Sequence, residues 1–117
     1  MALFTLLISI LLAQPFGIGS QPVVSTHRSE NLSSDTVRLV FDLKISDGWH
    51  VYSTSLPKGG PTSTELELDT IYGAVPASEL LFSGNEIENM DPVFDMKVRF
   101  FEKKVTFYQD FHITADE

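Results

Sequence analysis

The sequence predicts an all-β antiparallel sandwich, and three observations carry that expectation. Val37, Leu39, Phe41, Leu43 and Ile45 are apolar at every second position, with Arg38, Asp42 and Lys44 in three of the gaps and Val40 as the exception. Phe94, Met96, Val98 and Phe100 alternate in the same way with Asp95, Lys97 and Arg99, and Val105, Phe107, Phe111 and Ile113 share a phase with Gln109. Period two is the spacing of a strand with one buried and one wet face. No amphipathic helix interrupts the pattern, so roughly six or seven short strands joined by turns are expected.

Taken in order, the chain opens on an apolar, uncharged run from Leu3 to Ala13, closed by Pro15 and Gly17, with Gly17-Ile18-Gly19-Ser20 as small residues for cleavage before Gln21. The run is shorter than the ~20 residues a membrane-spanning helix needs. Residues 1–20 therefore read as a secretory signal peptide, although no Lys or Arg precedes the run. An uncleaved lipid-embedded anchor is the rival reading, and both imply export. Residues 21–35 are polar and read as a leader or a short edge strand around Val23–His27. Asn31-Leu32-Ser33 matches a glycosylation sequon, a pattern common by chance.

Residues 36–117 form the expected sandwich domain. Asp47-Gly48 follows the first alternating strand and tolerates the positive φ of a tight turn, so a hairpin into Trp49-His50-Val51-Tyr52 is expected. Leu56-Pro57-Lys58-Gly59-Gly60-Pro61 forbids a regular element. In Thr64–Asp69, Leu66 and Leu68 alternate with Glu65, Glu67 and Asp69, a strand whose three carboxylates form a solvated face. Residues separated by two on a strand lie about 7 Å apart, and no glycine-turned ligand loop accompanies these acids to close a metal shell. Ile71–Pro76 reads as irregular, Ser78–Phe82 as a helical turn or a short strand, and Gly84–Pro92 as an acidic loop. Glu102-Lys103-Lys104 then turns the chain into a second expected hairpin.

The composition limits the function. The 117 residues carry eight Lys/Arg against sixteen Asp/Glu, a net charge of −8 that loss of the leader would leave unchanged. Such a domain repels polyphosphate backbones, which argues against nucleic-acid binding. There is no cysteine, so neither disulfide support nor thiol chemistry is available to the chain. A domain this small buries only roughly 60–65% of its unfolded surface, and the nine Phe are expected to supply its core. No phosphate-cradling loop, nucleophile elbow or metal-ligand spacing is present, and His27, His50 and His112 stand apart. No cofactor and no catalytic residue is expected. Trp49, His50 and Tyr52, with Tyr72, offer a candidate aromatic binding surface for a protein or glycan, and packing explains them as well.

The run Asp47-Gly48-Trp49-His50-Val51-Tyr52-Ser53, continued by Lys58-Gly59-Gly60-Pro61-Thr62-Ser63-Thr64-Glu65, resembles a known family. It is similar to the periplasmic N-terminal domain of DsbD-type thiol:disulfide interchange proteins, the disulfide bond corrector family. Asp91-Pro92-Val93-Phe94 and Phe101-Glu102-Lys103-Lys104-Val105-Thr106-Phe107 extend the resemblance, which covers roughly Thr36 to Ile113. It implies an immunoglobulin-like sandwich in the periplasm of a Gram-negative bacterium. There the family relays reducing equivalents from a membrane-embedded domain, through a thioredoxin-like domain, to exported thiol proteins and cytochrome c maturation factors.

The same resemblance makes Asn89–Asp95 a candidate cap loop over the family's dithiol, with Phe94 as the covering ring and Asp91 or Asp95 as the nearby carboxylate. A carboxylate there would raise a thiol pKa and restrain its reactivity. The family's cysteine hairpin would begin after Glu117, so the chain is expected to lack its last strands and to be redox-inert by itself. Whether it belongs to an enzyme is left open: the family is a component of a protein-disulfide reductase. The alternative is a cysteine-free exported module that binds a protein or glycan.

Overall fold

The computed structural model describes residues 5–9, 12–13, 22–70 and 73–114. Among them it contains eleven strands and no helix: β1 (Thr5–Ser9), β2 (Leu12–Ala13), β3 (Val23–Asn31), β4 (Thr36–Ile45), β5 (His50–Tyr52), β6 (Glu65–Thr70), β7 (Ala74–Pro76), β8 (Leu81–Ser83), β9 (Ile87–Asp91), β10 (Met96–Phe101) and β11 (Lys104–Ile113). The all-β antiparallel architecture expected from the period-two runs is thus the observed one. Two sheets are built in the orders β3-β4-β11-β7 and β2-β5-β10-β9; β8 also pairs β11, and β1 and β6 form a separate two-stranded ladder.

Both expected hairpins are corrected. β4 pairs β3 and β11, whereas β5 pairs β10 and β2, so the Asp47-Gly48 turn carries the chain from one sheet to the other. The Trp49 N–H donates to the Ser46 carbonyl at 3.0 Å and Gly48 sits at φ 84°, with Asp47 at negative φ: a type II turn. Type II geometry splays its flanking strands instead of matching their twist. The Glu102–Lys104 turn behaves alike: β10 belongs to the sheet of β5, β11 to that of β4, and Lys103 adopts φ 69°. The two arches lie side by side, since the Ile45 N–H donates to the Lys103 carbonyl at 2.8 Å.

The core lies between the sheets. Leu39, Phe41, Leu43 and Ile45 of β4 and Val105, Phe107 and Phe111 of β11 pack with Val51 and Phe101 from the facing sheet. Cross-strand register sets Phe41 opposite Phe107 and Leu43 opposite Val105. Phe101, the last residue of β10, is fully buried, edge-on to Phe82 at 5.0 Å and to Phe107 at 5.8 Å. The chain there is leaving β10 for the arch, and strict alternation ends with it.

On the outer face of β4 and β11, Arg38 makes a two-pronged pair with Asp110 at 2.7 and 3.1 Å and stacks its guanidinium 4.6 Å above the Tyr108 ring. The Arg38 charge holds the Asp110 carboxyl below the usual carboxylate range. Beside it, Thr106 donates to Asp42 at 2.7 Å and Arg28 pairs with the same carboxylate.

The polar residues after Gln21, read as a leader or a short edge strand around Val23–His27, form an edge strand of nine residues laddered along β4 from Val23–Ile45 to Asn31–Val37. Ala74–Pro76, read as irregular, is a short strand, and Leu81–Ser83 takes the strand alternative read for Ser78–Phe82; both pair with β11. Most of the expected acidic loop is β9, laddered to β10. Thr5–Ser9 and Leu12–Ala13, within the expected leader, pair with β6 and β5.

Candidate functional site

The β9–β10 hairpin carries the candidate cap residues at its tip. Asp91 ends β9 opposite Met96, and Pro92–Asp95 form the turn. The Asp91 carboxylate accepts the Val93 N–H at 2.8 Å and the Phe94 N–H at 3.2 Å, and its carbonyl accepts the Asp95 N–H at 2.8 Å. Asp95 takes φ 54°, a conformation Asp tolerates better than most residues. Asp91 therefore works as the clasp of the turn. What the clasp presents is apolar: Val93 is 84% exposed, Met90 57% and Phe94 39%. The sequence singled out Phe94 but not Val93 or Met90, whose exposure depends on the turn.

The candidate aromatic surface is only partly a surface. Tyr52 is 4% exposed and belongs to the interior, because β5 is a central strand between β2 and β10. Burial pushes its phenol pKa up. Trp49 is half-buried and packs against the core. His50 stands edge-on to Tyr52 at 5.1 Å and lies 4.7 Å from the Phe100 ring. Burial lowers its pKa, while the Glu102 and Asp91 carboxylates pull the other way. Tyr72 lies outside the described residues. The three aromatics therefore do not make an open platform, and only Trp49 and His50 reach solvent.

A second constellation was not singled out from the sequence. Arg99 of β10 donates to Glu86 at 3.0 Å and to the carbonyls of Thr54 and Ser55 at 2.8 and 2.7 Å. Fully buried Ser53 donates to the same Glu86 carboxylate. Buried Thr64 donates through its hydroxyl to the Tyr52 carbonyl at 2.6 Å and through its N–H to the Ser53 carbonyl at 3.1 Å. These bonds pin both ends of the Gly-Pro loop to β5. At its middle, a Cβ on Gly60 would stand 2.5 Å from the Met96 Sδ, so a larger residue there requires the Met96 side chain to move. The local signal was Arg99 on a strand next to a glycine-proline loop, which marks a clamp only once the partner strands are known.

Between that loop, the start of β6 and residues 79–80 opens a cleft of about 460 Å³, lined by Ser63, Thr64, Glu65, Glu79 and Gln109 among others. Gln109 is engaged, donating to the Ser78 carbonyl at 2.8 Å. Among the described residues no group of three or more His, Asp or Glu converges to hold a metal ion. With no cysteine in the chain it has no thiol chemistry, and the geometry offers two surfaces for binding: an apolar hairpin tip and a polar cleft. No family model matches this chain, and no curated protein or solved structure does either.

Proposed function

We propose that the chain is an exported docking module of the kind that forms the N-terminal periplasmic domain of DsbD-type thiol:disulfide interchange proteins. In its complete form such a domain relays reducing equivalents; this cysteine-free chain contributes recognition only. The observation that carries the reading is the β9–β10 tip, where Val93, Phe94 and Met90 stand in solvent on a turn clasped by Asp91. Exposed apolar residues on a rigid frame are the usual form of a contact site for another protein. The Asp-Gly-Trp-His-Val-Tyr-Ser and Gly-Gly-Pro runs support the family assignment, and the burial of Tyr52 takes one ring out of the aromatic surface on which the alternative rests.

Titrating a purified exported thioredoxin-like domain into the chain, by calorimetry, tests the contact. The double variant Val93→Ser/Phe94→Ser should bind at least about tenfold more weakly, the loss expected on truncating two apolar contacts; equal affinity contradicts the proposal. The family assignment has its own test. A reading frame continuing past Glu117 into a cysteine-bearing hairpin supports it, and a stop codon there opposes it.

A further inference from the structure

The least conventional part of the fold is the way β6 is held. Among the described residues β6 has a single ladder partner, β1, in the register Leu6–Leu68, Leu7–Glu67, Ile8–Leu66 and Ser9–Glu65. The same N-terminal stretch then supplies β2, which pairs Leu12 with Val51 and Ala13 with His50 along the outer side of β5. Leu66 packs against the core while Glu65 and Glu67 are exposed. β6 is thus a strand, partly buried at Leu66, whose one ladder among the described residues runs to the N-terminal stretch.

We propose that the β5–β6 side of the sandwich is a strand-acceptor site, filled in cis by Thr5–Ser9 and Leu12–Ala13 and in trans by an extended segment of another protein. That segment has apolar residues at alternate positions, with Lys or Arg between them. Strand addition takes its affinity from backbone hydrogen bonds and its specificity from alternate side chains, and two features of β6 set the specificity. Leu66, partly buried against the core, asks for an apolar partner, and Ile8 stands opposite it in the register. Glu65 and Glu67 have Ser9 and Leu7 opposite them, so the cis strand leaves both carboxylates without a cross-strand cation. A basic residue at those positions gains a pairing that the cis strand lacks.

The test uses the full chain and two end-blocked peptides, Lys-Leu-Lys-Ile-Lys and Glu-Leu-Glu-Ile-Glu, followed by amide hydrogen exchange. The basic peptide should speed exchange across Thr5–Ser9 while Glu65–Thr70 stay protected. It should half-saturate at about tenfold lower concentration than the acidic one at low salt, with the gap narrowing as salt is added. In an Ile8→Pro variant, whose cis ladder is broken at its centre, β6 should lose protection and regain it on adding the basic peptide. Equal effects of the two peptides overturn the proposal, as does an absence of any effect in both the wild type and the variant. Loss of Thr5–Ser9 protection that follows protein concentration alone assigns the edge to a second copy of this chain and overturns it too.

Discussion

Two arches and two hairpin tips divide the work of this molecule. The arches, Ser46–Trp49 and Glu102–Lys104, pass between sheets and are flanked by core: Ile45, Val51, Phe101 and Val105 are all buried. They are bonded to each other through Ile45 and Lys103 and to the edge strand through the Ser46 N–H and the Pro22 carbonyl at 2.8 Å. The tips, residues 32–35 and 92–95, join neighbours within a sheet and face solvent. Leu32 and Ser33 both donate to the Thr36 carbonyl at the first, and Asp91 clasps the second. A turn between sheets must serve the core, whereas a turn between neighbouring strands is free to present side chains. Stability should therefore concentrate in the arches and recognition in the tip that carries Val93 and Phe94.

That division can be broken from the arch side first. Phe101→Ala should cost about 3–5 kcal/mol, the usual loss on emptying a buried phenylalanine site, read as a lowered urea midpoint; a loss below about 1 kcal/mol would detach the second arch from the core. Gly48→Val should cost about 1–2 kcal/mol, because a residue with a Cβ is strained at positive φ. Lys103→Gly has the opposite sign. It relieves the same strain at φ 69° and should raise stability by up to about 1 kcal/mol after the added chain entropy of glycine.

Substitutions at the tip act on a smaller scale. Asp91→Ala removes the acceptor for two backbone N–H groups and should cost about 1 kcal/mol, visible as faster amide exchange confined to residues 92–95. The smallest expected effect is in pH. His50 has its folded pKa lowered by burial, so the neutral ring is favoured in the folded state. Its contribution is fully present above the unfolded value of about 6.5 and is lost as pH falls below it. Asp110 also has a lowered pKa and acts in the same direction at lower pH: its share is present above about pH 4 and disappears as acid protonates it. A His50→Gln variant should flatten the first slope and leave the second.

The strands were legible because alternation is local. Leu39, Phe41, Leu43, Val105, Phe107 and Phe111 were read as inward, and all are buried. Pairing was not legible. Period two says which face of a strand is wet and nothing about which strand lies beside it, so by sequence alone the Asp47-Gly48 turn reads as a hairpin. Asp-Gly is compatible with type I′ and type II turns alike, and the partners of β4 and β5 decide between them. β9 was hidden because its exposed residues, Glu88, Asn89 and Met90, show no apolar face; it is held by its ladder to β10. Within the candidate site, Phe94 and Asp91 were named from resemblance. Val93 and Met90 emerge only when the turn exposes them, and the Arg99–Glu86–Ser53 clamp joins residues too far apart in sequence for any local pattern to link.

The most direct test of the division between arch and tip is a paired measurement on Val93→Ser/Phe94→Ser: the urea midpoint and the affinity for a thioredoxin-like partner on one protein sample. The account predicts a midpoint within error of the wild type and binding weakened by at least about tenfold. A shifted midpoint, or unchanged binding, would place the tip with the scaffold and contradict it.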